Sequence, residues 1–246
     1  MHGNALTSQA YRRWHGIPYL LVLQYSLGVC SVNGEKLGDN VTLYLGDCLD
    51  ILPTISSVDS VITDPVWPNC PPGLLQGCDN PSDLLNNSLL KIEAKRVVVV
   101  VRYDSDPRFL NSVPSKWKFF RVQSMSYSVP GYNGRKLGGE EIVYSFGEPV
   151  KSNIGRRVIP GRGPSAKKTK DNGHPCPRSE EHFRWLVNWW SDSEEIVLDP
   201  FMGSGTTGVA CVQMGRKFIG IEIDPGYYEI AKKRIQQAQL QVRMPI

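Results

Sequence analysis

An α/β fold is what this sequence predicts, and three observations predict it. Helical and strand patterns alternate along its 246 residues. Residues 199–224 read DPFMGSGTTGVACVQMGRKFIGIEID, in which a tight glycine turn joins a strand to a segment of helical spacing and then to a second buried strand. Several strands, finally, run out into an acid, as Leu45 does at Gly46-Asp47 and Ile62 at Thr63-Asp64. The length is ample for a sizeable core. With neither a repeat nor a clear linker, residues 1–246 read as a single domain, carrying an N-terminal extension over about 1–40 and a short basic loop over about 150–173.

Taken in order, residues 17–30, IPYLLVLQYSLGVC, are apolar and follow Arg12 and Arg13. The run is too short to span a bilayer as a helix and no small-residue cleavage site follows it, so a peripheral element or upstream sequence is expected, with no membrane partner. VTLYL at 41–45 alternates as a strand, and Leu49, Ile51 and Leu52 mark a short amphipathic segment. A strand over 58–62 delivers Thr63-Asp64-Pro65-Val66-Trp67. Residues 70–83, rich in Pro, Gly, Asn and Cys, read as an irregular loop, 84–95 as a helix and 97–101 as a fully buried strand. Alternation over 117–129 and 142–146 predicts two antiparallel strands around a connection at 131–139. Ser179 is placed to cap a helix to Trp190, with Glu180 and Glu181 in its first turn. Residues 227–239 form a basic amphipathic helix that covers the sheet.

The glycine turn raises the question of a ligand. Gly203, Gly205 and Gly208 satisfy G-x-G-x-x-G, with Glu222 near the distance of a ribose-binding acid, so a dinucleotide is one reading. A phosphate-binding P-loop is excluded, because Thr206 and Thr207 stand where its lysine would be. A third reading is S-adenosylmethionine, whose amino-acid and ribose ends suit acids flanking the turn, here Asp199 and Glu222. Upstream, Asp64-Pro65 with a ring two residues on puts a carboxylate, a carbonyl and an aromatic face in one small pocket. That combination suits a flat base with an exocyclic amine. Pro65 restricts its own φ and biases Asp64 toward an extended conformation.

The net charge of +4 says little by itself, but its distribution says more. Lys151, Arg156, Arg157, Arg162, Lys167, Lys168 and Lys170 fall in one acid-free stretch. The six cysteines show no C-x-x-C pair, which argues against a disulfide framework or a zinc knuckle and for a reducing cytoplasm. His174 and Cys176 lack a second pair of suitably spaced ligands, so no metal is expected.

DPVW at 64–67 followed by DPFMGSGTT at 199–207 resembles the circularly permuted β group of DNA amino-methyltransferases, bacterial or phage-like. There a catalytic Asp-Pro-Pro-Tyr motif precedes the cofactor motif. GDCLDIL at 46–52 and GHPCPRSEEHFRWLV at 173–187 resemble two further landmarks, and the match runs from about Leu43 to Gln239. The resemblance implies a Rossmann-like, S-adenosylmethionine-dependent methyltransferase fold, with a mostly parallel sheet, an antiparallel edge strand and helices on both faces. It decides against the dinucleotide, whose fold needs several strands after the turn where room remains for one.

Carried over by motif, Asp199, Phe201, Gly203 and Gly205 would line the methionine and ribose side, with Thr206 and Thr207 at the helix N-terminus. Glu222 would accept the ribose hydroxyls and Asp47 would meet the adenine of the cofactor. His174 would lie beside the methionine, with the lysine usual there displaced or replaced by Arg178. Asp64 and Pro65 would accept the target amine's N–H groups, and Trp67 would stack on the flipped base. Val66 departs from the family's second proline. It restores a backbone N–H and leaves both acceptors in place.

The implied partner is double-stranded DNA, and aspartate at the first motif position points to adenine N6, with cytosine N4 or a nucleic-acid-binding protein without activity as alternatives. Arg156, Arg157, Arg162, Lys167, Lys168 and Lys170 fall where the family reads its target, and would contact phosphate. The implied location is the cytoplasm of a bacterium or phage-infected host. A homodimer is compatible with the sequence, which does not specify it.

Overall fold

The structure is a computed structural model and describes residues 33–133, 136–150, 156, 160–163 and 178–243. The apolar run at 17–30, with the rest of 1–32, lies outside them, as do His174, Arg157, Lys167, Lys168 and Lys170.

Eight strands form one sheet: β1 (Glu35–Lys36), β2 (Val41–Leu45), β3 (Val58–Thr63), β4 (Ala94–Arg102), β5 (Phe119–Asn133), β6 (Lys136–Gly147), β7 (Ile196–Asp199) and β8 (Lys217–Glu222). Their order is β1-β2-β8-β7-β3-β4-β6-β5. Strands β2, β8, β7, β3 and β4 pair in parallel, β1 joins antiparallel at one edge and the β5–β6 hairpin at the other. The mostly parallel sheet is therefore as expected, with antiparallel strands at both edges. Residues 35–36, inside the stretch expected as an extension, already belong to it.

Helices cover both faces, and β4 displays why. Its run of five valines is buried throughout, and successive side chains point to opposite faces. Val98 and Val100 belong to one core with Phe183, Leu186 and Val187 of α3 (Glu180–Trp190) and with buried residues of α4 (Thr206–Gln213) and α5 (Pro225–Arg243). Val97, Val99 and Val101 join the other core, with α1 (Cys48–Ile51), α2 (Pro81–Leu90), Phe109 and Trp117. Among the described helices, none is long and apolar enough to cross a membrane.

Three boundaries differ from expectation. The helix expected over 84–95 is α2, which starts earlier because Pro81 suits its first turn and Asn80 caps it, accepting from Asp83 N–H at 3.3 Å. It stops at Leu90, and β4 has begun by Ala94. The hairpin extends far beyond its expected ends, with Asn133 opposite Lys136, after a register shift between Ser126 and Gly131. That bulge breaks the two-residue period, so alternation could not reveal the continuation. Helix α5 opens at Pro225, where Asp224 Oδ1 accepts from Gly226 and Tyr227 N–H at 2.7 and 3.0 Å.

Candidate active site

The strand order places four chain turns side by side. From β7 the chain proceeds through α4 to β8 on one side, while β3 leads to β4 on the other, so β7 and β3 flank a topological switch point. In parallel sheets a crevice opens beyond the strand ends at such a point. Here it is a cavity of about 340 Å³ that takes in Asp47, Asp64, Pro65, Trp67, Asp199, Phe201, Gly203, Thr206, Thr207 and Glu222.

One wall is the glycine turn. Gly203 and Gly205 adopt φ of 52° and 79°, the left-handed region that favours glycine. A Cβ on Gly205 would stand 2.8 Å from Ala231 Cβ, so this glycine packs behind the turn against α5 while its neighbours face the cavity. Glu222 pins the turn from the next strand: Oε2 accepts Gly203 N–H and Oε1 accepts Asp224 N–H, both at 2.9 Å. Arg234 clamps it from behind. Its Nη1 donates to Ser204 O at 2.6 Å, Ser204 Oγ at 3.0 Å and Thr206 Oγ1 at 3.2 Å, and its Nη2 to Glu180 Oε1 at 2.8 Å. Nothing in the local pattern singled out Arg234, since it reads as one more cation on a basic helix.

Asp199 is 2% exposed, and its Oδ1 accepts from Thr63 Oγ1 at 2.8 Å and from Phe201 N–H at 3.2 Å, while Thr207 Oγ1 donates to Oδ2. Burial outweighs these bonds and pushes its carboxyl up to about 6. Burial likewise pushes Glu222 up to about 7 against its backbone donors. Asp47 caps α1, accepting Leu49 N–H at 2.8 Å, and still borders the cavity.

Four carboxylates, of Asp47, Asp199, Glu222 and Asp224, thus line this side of the cavity, and Arg178 is the one arginine or lysine among its described lining residues. Such a wall repels a pyrophosphate and accepts hydroxyl and ammonium donors. These residues fit S-adenosylmethionine, which presents ribose hydroxyls, an amino group and a cationic sulfonium. They do not fit a dinucleotide.

The opposite wall is built from Asp64 to Trp67. Val66 and Trp67 are buried with Cys70 against Leu75, Cys78 and Leu84, which fixes the segment beyond β3. Trp67 Nε1 donates to Asp64 Oδ1 at 2.9 Å. Arg178, one residue before the Ser179 cap of α3, donates from Nε to Asp64 Oδ2 at 2.5 Å and from Nη2 to Oδ1 at 2.8 Å. Its guanidinium carbon lies 4.8 Å from the centre of the Trp67 ring, and that of Arg102 lies at 5.6 Å. Trp67, expected to present its ring to a base, already carries cations over it.

Behind Arg178 sits a buried polar group that the sequence did not reveal. Arg178 Nη1 donates to Glu141 Oε1 at 3.0 Å, His182 Nδ1 lies 2.8 Å from Glu141 Oε2, and Tyr127 OH donates to Oε1. Burial alone would raise the Glu141 carboxyl, yet Arg178, His182 and Tyr127 together hold it below the usual value. Burial opposes the charge on Arg178 too, and Asp64 and Glu141 more than restore it.

The basic stretch is only partly described. Arg162 is exposed, as a phosphate contact requires. Arg156 instead is committed to the end of α3, donating to Asn188 O, to Ser191 O at 3.1 Å and to Asp192 Oδ1. Its role there is to satisfy carbonyls that a helix terminus leaves without partners.

A family model described as DNA methylase, N6_N4_Mtase, matches residues 106–233, just over half of the chain. The match begins beyond Asp64 and includes Arg178 and the whole glycine turn. Among curated proteins, the DNA adenine methyltransferase YhdJ of Escherichia coli (strain K12) is 42% identical over 108 residues, 42% of this chain and 37% of that protein. The type II methyltransferase M2.LlaDCHI of Lactococcus lactis subsp. cremoris is 42% identical over 64 residues, 26% of this chain and 24% of that protein. The chain thus aligns with well under half the length of either relative. Among solved structures, M1.HpyAVI in complex with SAM shares the fold with a TM-score of 0.63 at 23% identity, covering 79% of this chain and 98% of that one. The cytosine-N4-specific PvuII DNA methyltransferase gives a TM-score of 0.58 at 16% identity, covering 83% and 91%.

Proposed function

The chain belongs to the N6/N4 DNA methylase family, and from that premise we propose that it transfers a methyl group from S-adenosylmethionine to the exocyclic amine of a base flipped out of DNA, adenine N6 in the first instance. The observation that carries this reading is the meeting of both half-sites in one cavity. Asp199, Gly203 and Glu222 form its acidic wall, and Asp64, Pro65 and Trp67 face it from β3. The adenine preference rests on aspartate at the first position of DPVW, in line with the family resemblance, and on the relative YhdJ.

When bound, S-adenosylmethionine supplies a methyl group activated for displacement by its sulfonium. Glu222 and Asp199 would hold the donor through the lone pairs their protein partners leave open, and Thr206 and Thr207 would set the helix start against it. Asp64 and the Pro65 carbonyl accept the two N–H groups of the target amine. They thereby favour a pyramidal nitrogen and stabilise the positive charge that grows on it. Positioning does most of the work, since the displacement requires an in-line approach. Exposed Arg162, with the cations of 164–170, supplies phosphate contacts that do not read sequence.

Incubation of the full chain with labelled S-adenosylmethionine and mixed-sequence duplex DNA, followed by nucleoside mass spectrometry, tests the proposal. N6-methyladenine is the expected product. N4-methylcytosine would replace adenine by cytosine, and unlabelled DNA with intact donor binding would identify a binding protein without transferase activity.

A further inference from the structure

Asp64 is the group on which the proposed chemistry depends, and it is already engaged. A carboxylate offers about four lone-pair sites. Three are taken, by Trp67 Nε1 at 2.9 Å and by Arg178 Nη2 and Nε at 2.8 and 2.5 Å. Arg178 also brings a planar, delocalised group to 4.8 Å from the Trp67 ring centre. A flat cation that donates N–H groups to Asp64 and lies over Trp67 presents the features asked of an amino-bearing base in that pocket. Arg178 lines the same cavity.

We infer that Arg178 is a specificity-determining residue of the acceptor site: its guanidinium holds the place of the target amine on Asp64 and of the target ring on Trp67, and an incoming base must replace it on both. The inference rests on the methyl-transfer reading of the cavity. Its physical basis is that pulling the guanidinium away leaves a part-buried carboxylate without its partner, which is costly unless other donors arrive. A base with an exocyclic amine brings them. A base that turns a carbonyl oxygen toward Asp64 brings repulsion, so it cannot displace Arg178.

Arg178 has somewhere to remain when displaced. Its third contact, Nη1 to Glu141 Oε1 at 3.0 Å, does not involve Asp64. Glu141 is 1% exposed and is fixed independently by His182 and Tyr127. The guanidinium can therefore leave Asp64 and keep a charged partner. The arrangement lowers apparent base affinity by the fraction of molecules in which Asp64 is open, and it is released by removing Arg178.

The experiment compares wild type, Arg178→Gln and Arg178→Lys in the full chain, saturated with S-adenosylhomocysteine. Calorimetric affinities for deoxyadenosine and thymidine are the readout. Arg178→Gln is expected to bind deoxyadenosine about tenfold more tightly than wild type, as for an open fraction of about one tenth, and to discriminate less against thymidine. Arg178→Lys falls between, since one ammonium cannot fork both Asp64 oxygens. A purely structural Arg178 would give the opposite sign, so equal, weaker or undetectable deoxyadenosine binding by Arg178→Gln, with S-adenosylhomocysteine binding intact, overturns the inference. Should Arg178→Gln fail to bind S-adenosylhomocysteine, Arg178→Lys decides by the same comparison. Wild type that incorporates no label into DNA would overturn the methyl-transfer reading, and is scored separately from the nucleoside affinities.

Discussion

Thr63 and Asp199 are 136 positions apart in the chain and joined by a 2.8 Å hydrogen bond from Thr63 Oγ1 to Asp199 Oδ1. Thr63 directly precedes Asp64, so one bond between the ends of β3 and β7 ties the acceptor half of the cavity to the donor half. Thr63→Val removes the donor and leaves a buried carboxylate oxygen with less compensation, at a cost of about 1–3 kcal/mol. The Asp199 carboxyl then rises above about 6. Calorimetry at neutral pH is expected to show weaker S-adenosylmethionine binding, recovering in part as the pH is raised. A loss that does not depend on pH would rule out this coupling.

A pH dependence follows from the two raised acids. Asp199 at about 6 and Glu222 at about 7 keep protons in the folded protein that the unfolded chain, at ordinary values of 3.8 and 4.5, has already shed. These two acids bind more protons in the folded state over that window, so their contribution to stability without ligand falls as pH rises from about 4 to about 7 and levels off above it. Hydroxyl and ammonium donors favour the ionised acids, so donor binding expels protons and strengthens as the pH rises through the same two values. Thermal melts across this range, and calorimetry in buffers of different ionisation enthalpy, check both signs.

Asp64→Ala is expected to lower methyl transfer by at least about 10²–10³-fold, the range seen when one charge-stabilising group is lost. Donor binding should stay near the wild-type value, because Asp199 and Glu222 are on the other wall. Single-turnover rates and equilibrium dialysis separate the two effects, and equal rates in wild type and variant would remove Asp64 from the chemistry.

Arg234→Gln addresses the clamp behind the glycine turn. Three of its contacts reach Ser204 and Thr206 and one reaches Glu180. Loss of charge-assisted bonds to buried groups costs about 1.5–3 kcal/mol. The expected result is weaker donor binding with little change in the rate at saturating donor, read by separate titration of donor and DNA.

Gly205→Ala is expected to destabilise the fold by roughly 1–3 kcal/mol, because alanine resists the left-handed conformation at φ 79° and its Cβ would meet Ala231 Cβ at 2.8 Å and Ala231 Cα at 2.9 Å. Gly215→Ala, also left-handed at φ 69° but with open space around it, should cost less. Urea midpoints of the two variants measure the difference that packing makes.

The α/β class, most of the strands, the glycine turn with its flanking acids, and the order of DPVW before DPFMGSGTT are all legible in the chain read alone. These are local patterns: periodicity, caps and turn residues act within a few positions of one another. Local pattern failed where glycines and a bulge hid the two-residue period, which is why the hairpin proved longer than its alternation. Which residues stand side by side emerges only once the chain is folded. Asp64 and Arg178 are 114 positions apart, and the family resemblance set Arg178 beside the methionine rather than against Asp64 and Glu141, where its bonds place it. The order of the strands brings β3 beside β7 and β4, and α3 against the same sheet, so that Arg178 and Glu141 arrive at Asp64 together. A part-buried carboxylate there takes whatever donors packing delivers, and no spacing along the chain encodes that choice.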